Sequence, residues 1–367
     1  MNQLFYDEVI NNNNNNNSNG NNEKSRPMSI CWRNICFETS NSTKTTTMVE
    51  EKKLKGNDNV TNETPQSITS PKKSNSKIIL HRLDGYFECN TLNGLMGPSG
   101  AGKTTFLNCL GGNVRFGVNN SKMINCVNKW EIYVNTNPSI DTKSLKKISH
   151  TSQSSSCWIE QHVQNSILGQ LKVGEILRYA YGFKNNCNSK DVKNYHTSSM
   201  EEYIYEILQD FMLDKQMLHR RFDQCSGGEQ KRIVIAQELM CRLKPEFLFV
   251  DEPTTGLDSN AALVVMTCLK KLASTYRMTV IVSIHFPNDE IINLFDKLYV
   301  LAKGGVCIYS GKPETLSVYL QNLYHLTNVN NNVDNALAIV PNDEKTRQNQ
   351  QNQRPIEALI KLACNGQ

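Results

Sequence analysis

Gly97-Pro98-Ser99-Gly100-Ala101-Gly102-Lys103-Thr104 fits the pattern G-x-x-x-x-G-K-[ST] at every fixed position. Its flanks supply the context that such a loop requires. Thr91 to Met96 reads as a strand, and Thr104 to Leu110 reads as the start of a helix. Gly97, Gly100 and Gly102 let main-chain N–H groups converge on phosphate oxygens, and the helix N-terminus adds a favourable dipole. Lys103 is expected to reach the β- and γ-phosphates of a nucleotide, and Thr104 to ligate Mg2+ through its hydroxyl. A Gly-rich turn that binds nothing is the bland alternative, and the Lys-Thr pair argues against it. By itself the loop names a nucleotide site and little else, because unrelated proteins share it.

Two further strands end in chemistry. Phe247-Leu248-Phe249-Val250 is an apolar run closed by Asp251-Glu252-Pro253. A buried parallel strand delivers its last residues to the ligand edge of the sheet, so Asp251 is expected to hold Mg2+. Glu252 points the other way, where it can orient the attacking water or accept its proton. Thr279 to Ile284 is a β-branched strand with His285 at its exit, placed to reach the γ-phosphate or the water. A lone histidine at a strand end is ordinarily a loop residue, so that role depends on its company. Downstream of the loop, Ser226-Gly227-Gly228-Glu229-Gln230 reads as a helix start and hence a second anion site.

Taken in order, Gly97 to Thr105, Cys225 to Arg232, Asp251 to Ser259 and Ser283 to Pro287 resemble the ATP-binding cassette of ABC transporters, with wording close to the G or White subfamily. Leu294-Phe295-Asp296-Lys297-Leu298-Tyr299-Val300-Leu301 adds to that likeness, which runs from Ile30 to about Leu323. The resemblance implies an α/β P-loop fold: a mixed sheet core, an antiparallel β subdomain and a helical subdomain over 171–223. It implies ATP and Mg2+ as cofactors, held by Gly97 to Thr105 with Thr104 and Asp251 on the metal. It also implies a second cassette as partner, because Ser226, Gly227, Gly228 and Glu229 of one chain face the γ-phosphate on the other, with Asp258 signalling across the interface. Glu252, His285 and a glutamine complete the catalytic set. Gln153, Gln161 and Gln164 compete for that last place, and loop length favours Gln164 before the helix that opens at Leu171 to Leu177. Asn165-Ser166 stands where the family carries an acidic pair. An adenine-stacking aromatic is expected near Phe37, although a Phe closing an apolar strand is more often core.

Composition bounds the rest. The chain has 367 residues and a net charge of +5, from 40 basic and 35 acidic side chains spread along its length. That balance gives no case for nucleic acid, and Lys231-Arg232 and Arg220-Arg221 read as a solvated face. The 12 cysteines lack disulfide or zinc spacing and suit free thiols in a reducing compartment. Residues 1–27 read as a disordered Asn-rich tail, 38–76 as a low-complexity insertion within a cassette spanning 28–327, and 328–367 as a polar tail. No window approaches the ~20 apolar residues of a spanning helix. The reading is therefore a cassette of cytoplasmic, peripheral placement whose membrane-spanning subunit is a separate protein. The alternative is a soluble, dimerising regulatory relative without transport.

Overall fold

The computed structural model describes residues 28–40, 76–112, 131–135, 145–147, 156–161, 167–185, 199–330 and 363–364. It opens on two long strands, β1 (Met28–Ser40) and β2 (Ser76–Glu88), followed by β3 (Leu92–Met96) and helix α1 (Lys103–Leu110). Short strands β4 (Glu131–Asn135) and β5 (Leu145–Lys147) precede β6 (Ser156–Ile159). Helices α2 (Val173–Asn185) and α3 (Met200–Asp210) lead through two 3₁₀ turns to α4 (Gly227–Glu238). Then come β7 (Phe247–Asp251), α5 (Ser259–Thr275), β8 (Thr279–Ile284), the short α6 (Asp289–Ile292), β9 (Lys297–Ala302), β10 (Val306–Gly311) and α7 (Leu316–Asn330).

Two sheets result. The first has the order β2-β1-β4-β5 and is antiparallel; the second runs β10-β9-β3-β8-β7-β6, parallel except for its edge strand β10. Every residue of β3, β7 and β8 is buried, which is why these strands read as continuous apolar runs rather than alternating ones. Successive side chains nonetheless go to opposite faces. Leu248 and Val250 of β7 join Val280, Val282, Leu298 and Val300 in a core shared with α2 to α5. Phe247 and Phe249 join Ile281, Tyr299 and Leu301 in a second core with α1 and the antiparallel sheet. Trp32 anchors that second core, with its ring 4.9 Å from Phe87, 5.4 Å from Phe106 and 5.3 Å from Tyr299.

The α/β expectation holds: the mixed sheet, the antiparallel sheet and the helices are all present. Some boundaries move. Pairing of β1 with β2 continues to Ser40 and Ser76, so strand replaces the first and last residues assigned to the 38–76 insertion, because the hairpin ladder outruns the change in composition. Phe37 lies opposite Leu80 and packs on the second core. At the other end, α7 carries on to Asn330, and Ala363 is fully buried with its carbonyl accepting the Lys303 N–H at 3.0 Å. Within the segment read as a polar tail, Ala363 thus contributes to the packed body. Among the described residues no helix is long and apolar enough to cross a membrane.

Candidate functional site

The loop between β3 and α1 is built around its lysine. Lys103 is 5% exposed, and its ammonium donates to the carbonyls of Gly97 at 2.9 Å and Pro98 at 3.2 Å. Burial lowers its pKa, and the carboxylates of Glu252 and Asp251 oppose that shift. Gly97 is obligatory: its φ is +153°, and a Cβ there would stand 2.4 Å from the carbonyl oxygen of Leu301. Ala101 is buried beneath the turn, while Ser99, Gly100 and Thr104 face solvent and Gly102 and Thr105 are half-buried. Thr104 leaves its hydroxyl 3.2 Å from Oδ1 of Asp251.

The ends of β7 and β8 complete this edge. Asp251 and Ser283 are direct partners in the parallel register, and the serine hydroxyl donates a short hydrogen bond to Oδ1 of Asp251. Glu252 follows with φ +45°, its N–H bound to the carbonyl of Ser283 at 3.1 Å and to its hydroxyl oxygen at 3.0 Å. Its Oε1 lies 2.9 Å from Nε2 of His285 and 3.8 Å from Nζ of Lys103. Nδ1 of His285 is 3.5 Å from the Lys103 ammonium. An ammonium only donates, so Nδ1 accepts and the imidazole proton sits on Nε2, facing the carboxylate. Four sequence-predicted residues, Lys103, Asp251, Glu252 and His285, are thereby brought together.

The glutamine is a different matter. Gln164 lies outside the described residues. Gln161, two positions past the end of β6, donates its amide to Oε2 of Glu252 at 2.8 Å. The same oxygen accepts from the hydroxyl of Thr255 at 3.1 Å. Thr255 and Ser283 were missed as site residues; Ser283 stands two positions before His285 on the strand that leads into the site, opposite Asp251 in the register.

Ser226 caps α4. Its hydroxyl accepts from the Glu229 N–H at 3.3 Å, and Glu229 returns its carboxylate to the Ser226 N–H at 2.8 Å. This capping box engages the carboxylate of Glu229, which also pairs with Arg220 at 3.5 Å. The first-turn N–H groups of Gly227 and Gly228 have no acceptor within the helix and are the ones that an anion would meet. Ser226 and Gly227 are exposed. Asp258 likewise caps α5, accepting from the Ala261 N–H at 3.2 Å.

One expectation is corrected outright. Lys231 and Arg232 are not a solvated face. Lys231 is 6% exposed and gives its ammonium to the main-chain oxygen of Gln161 at 2.6 Å. Burial lowers its pKa, opposed by Glu252. Arg232 donates to the carbonyls of Phe211 and Met212, both at 2.9 Å, closing the end of α3. Helical spacing explains the burial: Val234 and Ile235, three and four positions on, share the inward side of α4 with Lys231.

Comparison with known proteins agrees with this geometry. The sequence profile described as ABC transporter matches residues 80–255. ABC transporter G family member 1 of Dictyostelium discoideum is 32% identical over 281 residues, covering 73% of this chain and 31% of its own length. A probable ATP-dependent permease of Saccharomyces cerevisiae is 31% identical over 264 residues, covering 71% of this chain and 22% of its own. The chain thus spans less than a third of the length of these relatives. A crystal structure of a nucleotide-free ATP-binding cassette from an ABC transporter superposes with a TM-score of 0.51 at 19% identity, covering 81% of this chain and 95% of that one, a likeness of fold. With its P-loop, acidic strand end and capped Ser-Gly-Gly turn in place, the chain belongs to the ATP-binding cassettes of the ABC transporter family, with relatives in the G branch.

Proposed function

We propose that this chain binds and hydrolyses ATP, pairs head to tail with a second cassette, and so drives a membrane-spanning transporter partner from the cytosolic face. The observation that carries the reading is the convergence of Lys103, His285 and Gln161 on one carboxylate, that of Glu252. Glu252 accepts the proton of the attacking water or aligns it, and the Nε2–H of His285 holds that carboxylate in place. Lys103 turns from the loop carbonyls to the β- and γ-phosphates. A hydroxyl and a carboxylate 3.2 Å apart, at Thr104 and Asp251, fit a hard cation that takes its remaining oxygens from phosphate and water, so these residues would hold Mg2+. When bound, Mg2+ neutralises the charge that develops on the β- and γ-phosphates.

Head-to-tail pairing is supported by the exposed Ser226 turn, whose N–H groups suit a γ-phosphate on the partner cassette. The membrane partner is supported by an apolar trio on the helical side. Leu168, Tyr179 and Phe183 are 72%, 58% and 82% exposed, and the last two stand one turn apart on α2. ATP would close the dimer, and hydrolysis would release it.

The test is Glu252→Gln in the purified chain. The variant is expected to bind ATP, to lose hydrolysis by roughly 10²–10⁴-fold, and to run as a dimer on size exclusion when ATP and Mg2+ are present. A variant that stays monomeric while ATP is bound would exclude the homodimeric sandwich. Hydrolysis that survives the change would remove Glu252 from its role.

A further inference from the structure

The helix that begins at Ser226 reaches into the site of its own chain. Lys231 lies little more than one turn into α4, and its ammonium meets the main-chain oxygen of Gln161 at 2.6 Å. The side chain of Gln161 then meets Oε2 of Glu252 at 2.8 Å. A second tie between these regions runs through the main chain: Lys172 bridges Arg221, Phe222 N–H bonds the Leu171 carbonyl, and Asp223 N–H bonds the Gly169 carbonyl, each bond 3.0 Å. That ladder joins the two flanks but involves neither Gln161 nor Glu252. A buried ammonium costs stability through lost hydration, and an apolar side chain of similar volume commonly serves a fold at least as well. Stability alone therefore gives no reason for an ammonium at this position.

We propose that Lys231 is a positioning residue, which fixes Gln161 and through it Glu252, so that seating the Ser226 turn on a partner's nucleotide sets the carboxylate of this chain's own site. The inference rests on the hydrolytic reading above. It makes the two half-sites of one cassette mechanically linked: α4 is a rigid body, and any rotation of its capped end displaces the Gln161 carbonyl. Catalytic groups tolerate little displacement, since about 1 Å costs on the order of 10²-fold in rate.

The experiment is a double-mutant cycle of Lys231→Met and Gln161→Ala in the full chain, read by kcat, ATP affinity, melting temperature and amide exchange over residues 158–161 without nucleotide. Lys231→Met is expected to lower kcat roughly 10–100-fold, leave ATP affinity and melting temperature unchanged, and quicken exchange over 158–161. In the Gln161→Ala background it should have no further effect on kcat. An equal loss in both backgrounds, unchanged exchange, or a parallel fall in affinity and melting temperature would overturn the proposal. If Lys231→Met does not fold, Lys231→Arg, which keeps a donor of at least the same reach, must preserve protection over 158–161; loss of protection there also overturns it. A wild-type chain without ATPase activity would sink the proposed function instead, while the exchange arm still tests the link.

Discussion

Glu252 holds a backbone conformation that side-chain-bearing residues seldom adopt, and the reason lies in its bonds. With φ +45° it stands in the left-handed region, which costs roughly 1–2 kcal/mol for an L-residue. Its N–H is held by Ser283 and its carboxylate by Gln161, His285 and Thr255, so the surroundings fix the turn that aims it. Gln161 touches Glu252 and lies outside the residues assigned to nucleotide binding. Gln161→Ala is expected to lower single-turnover hydrolysis by about 10–100-fold with ATP affinity preserved. Gln164→Ala, measured beside it, should remain near the wild-type rate; the reverse pattern would return the role to Gln164. The P-loop, Asp251, Glu252 and His285 were legible because each ends or opens an element with its own apolar signature. Gln161 competed with Gln153 and Gln164, and loop length before the next helix favours Gln164, whereas Gln161 follows closely on β6, which ends at Ile159. Counting back from the next helix takes no account of the strand that carries Gln161 to Glu252.

Among the elements, α4 decides how the site is wired, and its contacts leave little freedom. The capping box at Ser226 and Glu229 was readable from spacing alone, but the tilt of the helix depends on what it rests against. Gly228 faces α5, and a Cβ at that position would lie 2.9 Å from the Cβ of Ala261. Two effects compete in Gly228→Ala. The helix gains at most about 1 kcal/mol from the better propensity of alanine, and less in a first turn where half the geometry is set by the cap. Against this, the opposing atom is a methyl fixed directly to the backbone, with no rotamer to yield, so α4 and α5 must part at a cost of roughly 1–3 kcal/mol. The clash prevails. Urea unfolding of Gly228→Ala should show a lower midpoint at unchanged slope, with hydrolysis falling more than ATP binding because α4 carries Lys231. A midpoint at or above wild type would mean that the two helices separate freely. Arg232, closing α3 through the carbonyls of Phe211 and Met212, shows why charge alone misled: a basic pair on a helix is read as solvated until the neighbouring helix end is known.

At the scale of the molecule, the parallel sheet divides two cores with different work. The aromatic core around Trp32 and Tyr299 backs the P-loop helix, and the aliphatic core carries α2 to α5 and with them the Ser226 turn. The sheet and its motifs were legible because buried parallel strands leave unbroken apolar runs. The exposed side of α2 was not, because Val173, Ile176, Leu177 and Ala180 account for its inward side and make Tyr179 and Phe183 look like more of the same core. Both side chains are nonetheless exposed, at the margin of that inward side, with Leu168 exposed in the turn ahead. Exposed aromatics one turn apart cost solubility without helping this chain fold, which favours a surface that another protein covers. Tyr179→Ser with Phe183→Ser tests that directly. Neither side chain touches the nucleotide groups, so the doubly changed chain should keep its melting temperature, ATP affinity and basal hydrolysis. Recovery of a multi-spanning protein by pull-down from detergent-solubilised membranes should fall about tenfold or more, as expected when two aromatic anchors leave the centre of an interface. Undiminished recovery would move the docking surface off α2, and loss of hydrolysis in the isolated chain would show that these aromatics serve the cassette itself.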